Sequence, residues 1–313
     1  MSVDVIVPAF NAERFLSRTV ESIYEQSPLH AVIIVDDGSS DGTLACARAC
    51  APSALILTGP NGGVARARNR GIAALDAEWV QFVDSDDILA PQTIARRLEV
   101  AAESGADVVV TDWAEFREDA DIEQATVTAR TADWVRFHRD GAEVACATTF
   151  SAPPAALLFR KELVARIGGF RDDLFIIDDA RFLFDAAVCG AKFAHARHVG
   201  AYYRVQPEGL SRRTPARFWR DVLHNGEQIE ALWRARGGFD VAQRKALREI
   251  FDGAGRSLFE VLDPSWRQAL DGLHRNDILP SRKLHAAQVL SSLLGDRLAR
   301  HLLTLLTFLR RAD

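Results

Sequence analysis

The sequence predicts an α/β fold, a mostly parallel sheet flanked by helices, followed by a C-terminal helical region. Three observations carry this. Short β-branched runs alternate with helix-like stretches at intervals of about 20–27 residues. The runs are near-continuously apolar, as strands buried on both faces are. Beyond Pro207 the strand-like runs stop and only helical patterns remain.

The elements follow in order. VDVIVPAF (3–10) precedes a helix-like stretch from Ala12 to Glu25, and AVIIVDDG (31–38) precedes Asp41–Ala51. SALILTG (53–59) leads into Gly63–Leu75, and EWVQFVDSDD (78–87) into Pro91–Ser104. DVVVTDW (107–113) is the fifth run, and every run is closed by Pro, Gly or Asp nearby. Residues 114–150 are polar and irregular, which predicts loops with a short strand or two. ALLFRKELVARIGGF (156–170) reads as strand, helix and Gly-Gly stop, Asp178–Cys189 as helix, and 191–205 as strand. Helices are expected near 215–236, 241–262 and 281–311.

Composition narrows the function. A net charge of -5, from 38 basic and 43 acidic residues, argues against a nucleic-acid partner, which needs basic surface to meet phosphates. Cys46, Cys50, Cys146 and Cys189 lack CxxC spacing and read as free thiols in a reducing compartment. The chain starts directly in a strand pattern, and no apolar run reaches the ~18 residues of a membrane span. The expected location is cytoplasmic.

In such sheets ligands bind beyond the carboxyl ends of the strands. Asn11, Asp36, Asp37, Asp84, Asp86 and Asp112 all follow strand-like runs, so they are expected along one edge. In an extended VDSDD segment, Asp84 and Asp86 point to one side and Ser85 to the other. Carboxylates this close repel unless a cation lies between them. Hard oxygen donors suit Mg²⁺ or Mn²⁺, which share their shell with phosphate oxygens. A lone DxD would more often be a simple strand end, so the case depends on company.

The company is VIVPAFNAERFLSRTVESI, IIVDDGSSDGT, NGGVARARNRGIAAL, FVDSDD and IGGFRDDLFIIDDARF, in that order. Together they resemble the family 2 glycosyltransferases, whose catalytic domain has the GT-A fold, a Rossmann-like sheet. The resemblance covers about residues 1–205. It implies a catalytic domain with a nucleotide-sugar half at 1–112 and an acceptor half at 113–205, ahead of a helical region at 206–313.

The resemblance also implies roles. Pro8, Ala9, Phe10 and Asn11 would line a base pocket, with Asp37 accepting from a base N–H. Asn61, Gly63 and Arg68 would pass beneath the ribose and phosphates, leaving Arg66 at the surface. Asp86 would ligate Mn²⁺ or Mg²⁺, Asp84 would touch ribose or a metal-bound water, and Ser85 belongs to the same motif. Asp179 would be the general base, preceded by Asp178 where the family usually has Glu. YYRVQPEGLSRR (202–213) would place Arg204, Ser211 and Arg212 in a lid, with a plain linker as the alternative. Trp113 is a candidate for stacking on an acceptor sugar.

The implied activity is metal-dependent, inverting transfer of a sugar from a nucleoside-diphosphate sugar, commonly UDP-linked. The acceptor would be a hydroxyl of a carbohydrate or lipid-linked saccharide, as in cell-surface polysaccharide synthesis. A nucleotidyltransferase is the enzymatic alternative, opposed by the lack of a Gly-rich, Lys-bearing loop after the first strand. A nucleotide-sugar-binding scaffold without turnover is the other. A dehydrogenase fails at PAFNAE, which stands where GxGxxG would be needed.

Leu290, Leu294, Leu298, Leu302, Leu305 and Leu309 form a helical stripe flanked by Arg297, Arg300, Arg310 and Arg311. Packing against neighbouring helices or a second copy is the first expectation. Peripheral contact with an anionic membrane is the rival.

Overall fold

The computed structural model describes residues 1–117, 128–206, 209 and 213–309. The chain forms two compact units, Met1–Gly209 and Leu210–Asp313.

The first unit is built on β1 (Val3–Ala9), every residue of which is buried. It lies between two parallel neighbours, β2 (Ala31–Asp36) and β4 (Trp79–Phe82), while β3 (Leu55–Thr58) extends the sheet beyond β2. Pro8, which has no N–H to donate, is tolerated because pairing with β4 ends at Ile6. The buried Asp4 accepts from the Asp76 and Ala77 amides at 2.8 Å and from His30 Nδ1 at 2.8 Å. Helices α1 (Leu16–Tyr24), α2 (Thr43–Cys50) and α3 (Val64–Ile72) are the three crossovers. Gly71 lets α3 approach β1, since a Cβ there would stand 2.5 Å from Ile6.

Past β4 the sheet becomes mixed. The short β5 (Ile88–Leu89) and helix α4 (Thr93–Ser104) lead to the long β6 (Val108–Arg117), against which β7 (Thr128–Arg130) pairs antiparallel. Helices α5 (Trp134–Asp140) and α6 (Ala142–Cys146) occupy the stretch expected to be loops. Strand β8 (Leu157–Arg160) runs antiparallel between β4 and β6. After α7 (Lys161–Ile167), Gly168 and Gly169 take positive φ, and α8 (Asp178–Val188) follows. The last strand, β9 (Phe193–Val205), runs parallel to β6 with a register shift around Asp112. Strand order is β3-β2-β1-β4-β8-β6-β9-β5, so the line drawn at 112/113 falls inside one strand of one sheet.

The second unit is helical: α9 (Pro215–Ala235), α10 (Val241–Glu260), α11 (Trp266–Arg275), α12 (Arg282–Leu294) and α13 (Asp296–Leu309). Gly295, at φ +77, splits the single helix expected over 281–311. Glycines bring the helices close: a Cβ on Gly272 would lie 2.9 Å from Phe251, and one on Gly226 2.5 Å from Ile250. No helix among the described residues is long and apolar enough to cross a membrane.

Candidate active site

The carboxyl ends of β1, β2 and β4 carry the first candidates. Past Ala9 the chain turns at Asn11, which holds φ +49 and accepts from Ser40 N at 2.9 Å. Pro8 and Ala9 are buried within the sheet, while Phe10, 49% exposed, and Asn11 reach solvent.

Asp37 has a different task from the one expected. Its carboxylate is buried and accepts from the amides of Gly62 at 3.0 Å and Gly63 at 2.8 Å, and it pairs with Arg70. These contacts pin the loop that opens α3, and they occupy the oxygens proposed to read a base N–H. Gly38 makes the pinning close: at φ +75, a Cβ there would stand 2.8 Å from Asn61 N. Asn61 itself is exposed.

Helix α3 then sends three arginines three ways. Arg66 pairs with Asp172 at the surface at 2.9 Å, and Arg70 reaches Asp37. Arg68 turns inward to the centre of the acidic cluster. It donates to Asp84 Oδ1 and to Asp178 Oδ2, each at 2.6 Å, and its guanidinium lies 5.1 Å over the Phe170 ring. Phe170 stacks on Phe182 at 4.1 Å, an aromatic floor that fixes the height of the guanidinium. Burial works against its charge, but Asp84 and Asp178 outweigh that and hold its pKa above the ordinary arginine value.

Asp178 and Asp179 open α8, where the helix dipole favours anions. Burial raises the Asp178 pKa although Arg68 opposes it. Asp179 has no such direct partner: its Oδ1 accepts from Ala180 N at 2.7 Å. Burial, then the charge of Asp178, pushes it up to about 7.

The acidic turn after β4 is held from the far end of β9. Gln206 Nε2 donates to Asp86 Oδ2 at 2.5 Å, and the Arg204 amide donates to Asp87 Oδ1 at 3.0 Å. Arg204 Nε donates to the Asp86 carbonyl at 3.0 Å, with its guanidinium between Phe15 and Phe116. Arg204 is therefore buried structure rather than part of a lid, because two rings, the Asp86 carbonyl and the Asp87 carboxylate fix it; Ser211 and Arg212 lie outside the described residues. The Ser85 carbonyl accepts from Thr19 Oγ1 at 3.0 Å. Burial, and then Asp84, raises Asp86 to about 6; burial, and then Asp86 and Asp84, raise the fully buried Asp87 well above the carboxylate range. Trp113 is half-buried in β6, paired with Arg130 and Ala201.

Asp84, Asp86, Asp178 and Asp179 thus act on one another electrostatically, although they come from two distant segments. Asp37 joins the same helix through Arg70 without entering the cluster. Sequence reading passes over Arg70, Gln206 and Tyr203. Burial first, then the nearby charges of Asp87, Asp84, Asp86 and Asp179, holds the Tyr203 phenol above its usual pKa, so it stands beside the acidic group. The signal available was the YYRVQ segment itself, in which Arg204 and Gln206 stand two apart at the strand end, next to Tyr203.

Asp86 tests the fit of a divalent cation. It is a raised-pKa carboxylate whose direct side-chain partner is a neutral amide, beside a second carboxylate, and a cation would stabilise that pair. Among the described residues no group of three or more His, Cys, Asp or Glu could hold an ion unaided. One or two aspartates with substrate oxygens is the arrangement Mg²⁺ and Mn²⁺ accept.

Comparison with known proteins fits this geometry. Residues 4–168 match the model described as glycosyl transferase family 2. The succinoglycan biosynthesis protein ExoO of Rhizobium meliloti (strain 1021) is 30% identical over 228 residues, 67% of this chain and 62% of that protein. The matches span between 40% and 62% of the length of four curated relatives. S. aureus TarS 1-349 in complex with UDP-GlcNAc has a TM-score of 0.67 at 21% identity, covering 96% of this chain and 90% of that one. Mannosyltransferase PcManGT from Pyrobaculum calidifontis, in complex with GDP-Man and Mn²⁺, has a TM-score of 0.58 at 20% identity, covering 96% and 84%. These likenesses give the fold, the GT-A glycosyltransferase type. The chain belongs to glycosyl transferase family 2.

Proposed function

We propose that the protein is an inverting glycosyltransferase that moves a sugar from a nucleoside-diphosphate sugar, UDP-linked, to a hydroxyl of a carbohydrate or lipid-linked saccharide. The observation that carries this is the cluster around Arg68: two carboxylates hydrogen-bond its guanidinium, while Asp179 beside them feels that charge only through space and bonds the Ala180 amide instead. Asp86, with Asp84, would hold Mn²⁺ or Mg²⁺, which when bound offsets the negative charge growing on the diphosphate leaving group.

The residues of this chain do the rest. Phe10 offers an exposed ring for a base to lie against, and the Asp37–Gly62–Gly63 clasp keeps the loop below it in place. Arg68 holds Asp84 and Asp178 in place by a hydrogen bond to each. Asp179 takes the proton from the acceptor hydroxyl as that oxygen attacks the anomeric carbon. Its pKa near 7 suits this: a base poised near the working pH is both available and strong enough to matter. Attack from the base side opposite the leaving group inverts the anomeric centre. Polysaccharide biosynthesis fits the family and the likeness to ExoO, a succinoglycan biosynthesis protein.

The test is a thermal-shift screen of UDP- and GDP-sugars with Mn²⁺, followed by assay of nucleoside diphosphate release on adding saccharide acceptors. Stabilisation by a nucleoside-diphosphate sugar with acceptor-dependent release is expected. Stabilisation by nucleoside triphosphates alone, with pyrophosphate release, would move the activity to nucleotidyl transfer.

A further inference from the structure

The helical unit contains a cavity of about 490 Å³ between α10, α12 and α13. Arg256, Lys283 and Arg300 line it, with Glu260 as the acidic residue in the lining. Lys283 spends its charge on Glu260 at 2.7 Å, and Arg256 on Asp252 at 2.9 Å. Among the described residues Arg300 meets the Glu260 main-chain carbonyl at 3.2 Å and no carboxylate. One turn from each basic residue the same helix adds an apolar one to the lining: Phe259, Ala287 and Leu303. A lining that combines basic and apolar side chains suits a ligand that carries both a phosphate and hydrocarbon.

The surface of the same helices agrees. Leu293 is 73% exposed, and Leu294, Leu298, Leu305 and Leu306 are exposed on the same hairpin. From 282 to 309 the sequence has Arg282, Lys283, Arg297 and Arg300 against the single Asp296, which pairs with Arg267 at 2.7 Å, in a chain whose net charge is -5. Exposed leucines alone would fit many partners. Their coincidence with concentrated positive charge, on an otherwise acidic protein, favours an anionic bilayer.

We propose that this cavity is a site for the phosphate head group of an anionic membrane lipid, with the exposed leucines of α12 and α13 resting in the bilayer surface. Arg300 supplies the uncommitted charge, and Phe259 receives the first carbons of the lipid. The proposal needs no donor sugar and does not depend on the transferase reading.

The full chain is sedimented with phosphatidylcholine vesicles with and without phosphatidylglycerol. Retention is expected only with the anionic lipid, and it weakens as salt rises. Arg300→Gln and Lys283→Gln each reduce partitioning about fivefold, the scale of one basic side chain at an anionic surface. Leu293→Ser with Leu298→Ser weakens it independently, while melting temperature and nucleotide-induced stabilisation stay at wild-type values, which shows that the variants fold. Equal retention on neutral vesicles, or unchanged retention in the Arg300→Gln/Lys283→Gln double variant, overturns the proposal. So does stabilisation by inorganic phosphate or glycerol phosphate without vesicle retention, which would make the ligand a soluble phosphate. A dimer broken by the leucine variants, with no vesicle binding, assigns the face to a second copy and also overturns it.

Discussion

Arg68 and Asp178 are 110 residues apart in sequence and 2.6 Å apart in the fold, each side chain 3% exposed. The same guanidinium reaches Asp84, so one cation serves two carboxylates. Removing it leaves a buried carboxylate unpaired beside another. Arg68→Ala is expected to cost about 3–5 kcal/mol, read by urea unfolding. A loss below about 1 kcal/mol would mean that Asp178 is not held ionised by this pair.

Asp179 bonds the Ala180 amide instead, and its chemistry follows from burial beside Asp178. Asp179→Asn keeps the shape and loses the base. Transfer should fall about 10²–10⁴-fold, with nucleotide-induced thermal stabilisation intact. Near-normal turnover would place the base elsewhere.

The pH dependence has a definite sign. Burial and Asp178 raise the Asp179 pKa to about 7, against about 3.9 in an unfolded chain. Between those values the folded chain binds a proton that the unfolded chain has released, so this group's contribution to stability falls as pH rises. Competence as a base rises over the same window. The kcat/KM profile should therefore climb with pH and level off above neutrality, while stability moves the other way. A rate that declines between pH 6 and 7.5 (values set about the Asp179 pKa) would exclude this carboxyl as the base.

Asp86 should govern metal-linked nucleotide binding. UDP is expected to raise the melting temperature in Mn²⁺, to do little in excess chelator, and to lose its effect in Asp86→Ala. Equal stabilisation with and without chelator would remove the ion from the site.

Gly38 tests the loop clasp. At φ +75, with Asn61 N 2.8 Å from where a Cβ would stand, Gly38→Ala should cost at least ~1–2 kcal/mol from the left-handed conformation alone. It should raise KM for the donor more than it lowers kcat, because the displaced loop carries no reacting group. An unchanged KM would separate this loop from donor binding.

The sequence made the sheet legible where strands were buried on both faces, since runs such as VDVIVPA admit few other readings. It made the acidic motifs legible because each stood at the end of such a run. Residues 134–146 were not legible as helix, because their order rests on long-range aromatic packing among Trp134, Phe137 and Phe150, with Asp133 capping through Arg136 N at 2.9 Å. Asp37 misled for a related reason. A strand-end aspartate that grips backbone amides and one that faces a ligand share the same local sequence, and only the position of Gly62 and Gly63 distinguishes them. Arg204 looked mobile beside Pro207 and Gly209, yet Phe15 and Phe116 enclose it.

The hold that Arg204 and Gln206 keep on Asp86 and Asp87 spans 117 to 120 residues of sequence. During synthesis the early strands can pair soon after they leave the ribosome, but the turn that bears these carboxylates has no clasp until position 206 emerges. Nascent chains therefore pass through a stage with a formed sheet and an unshaped acidic turn, and premature termination before residue 204 would leave them there.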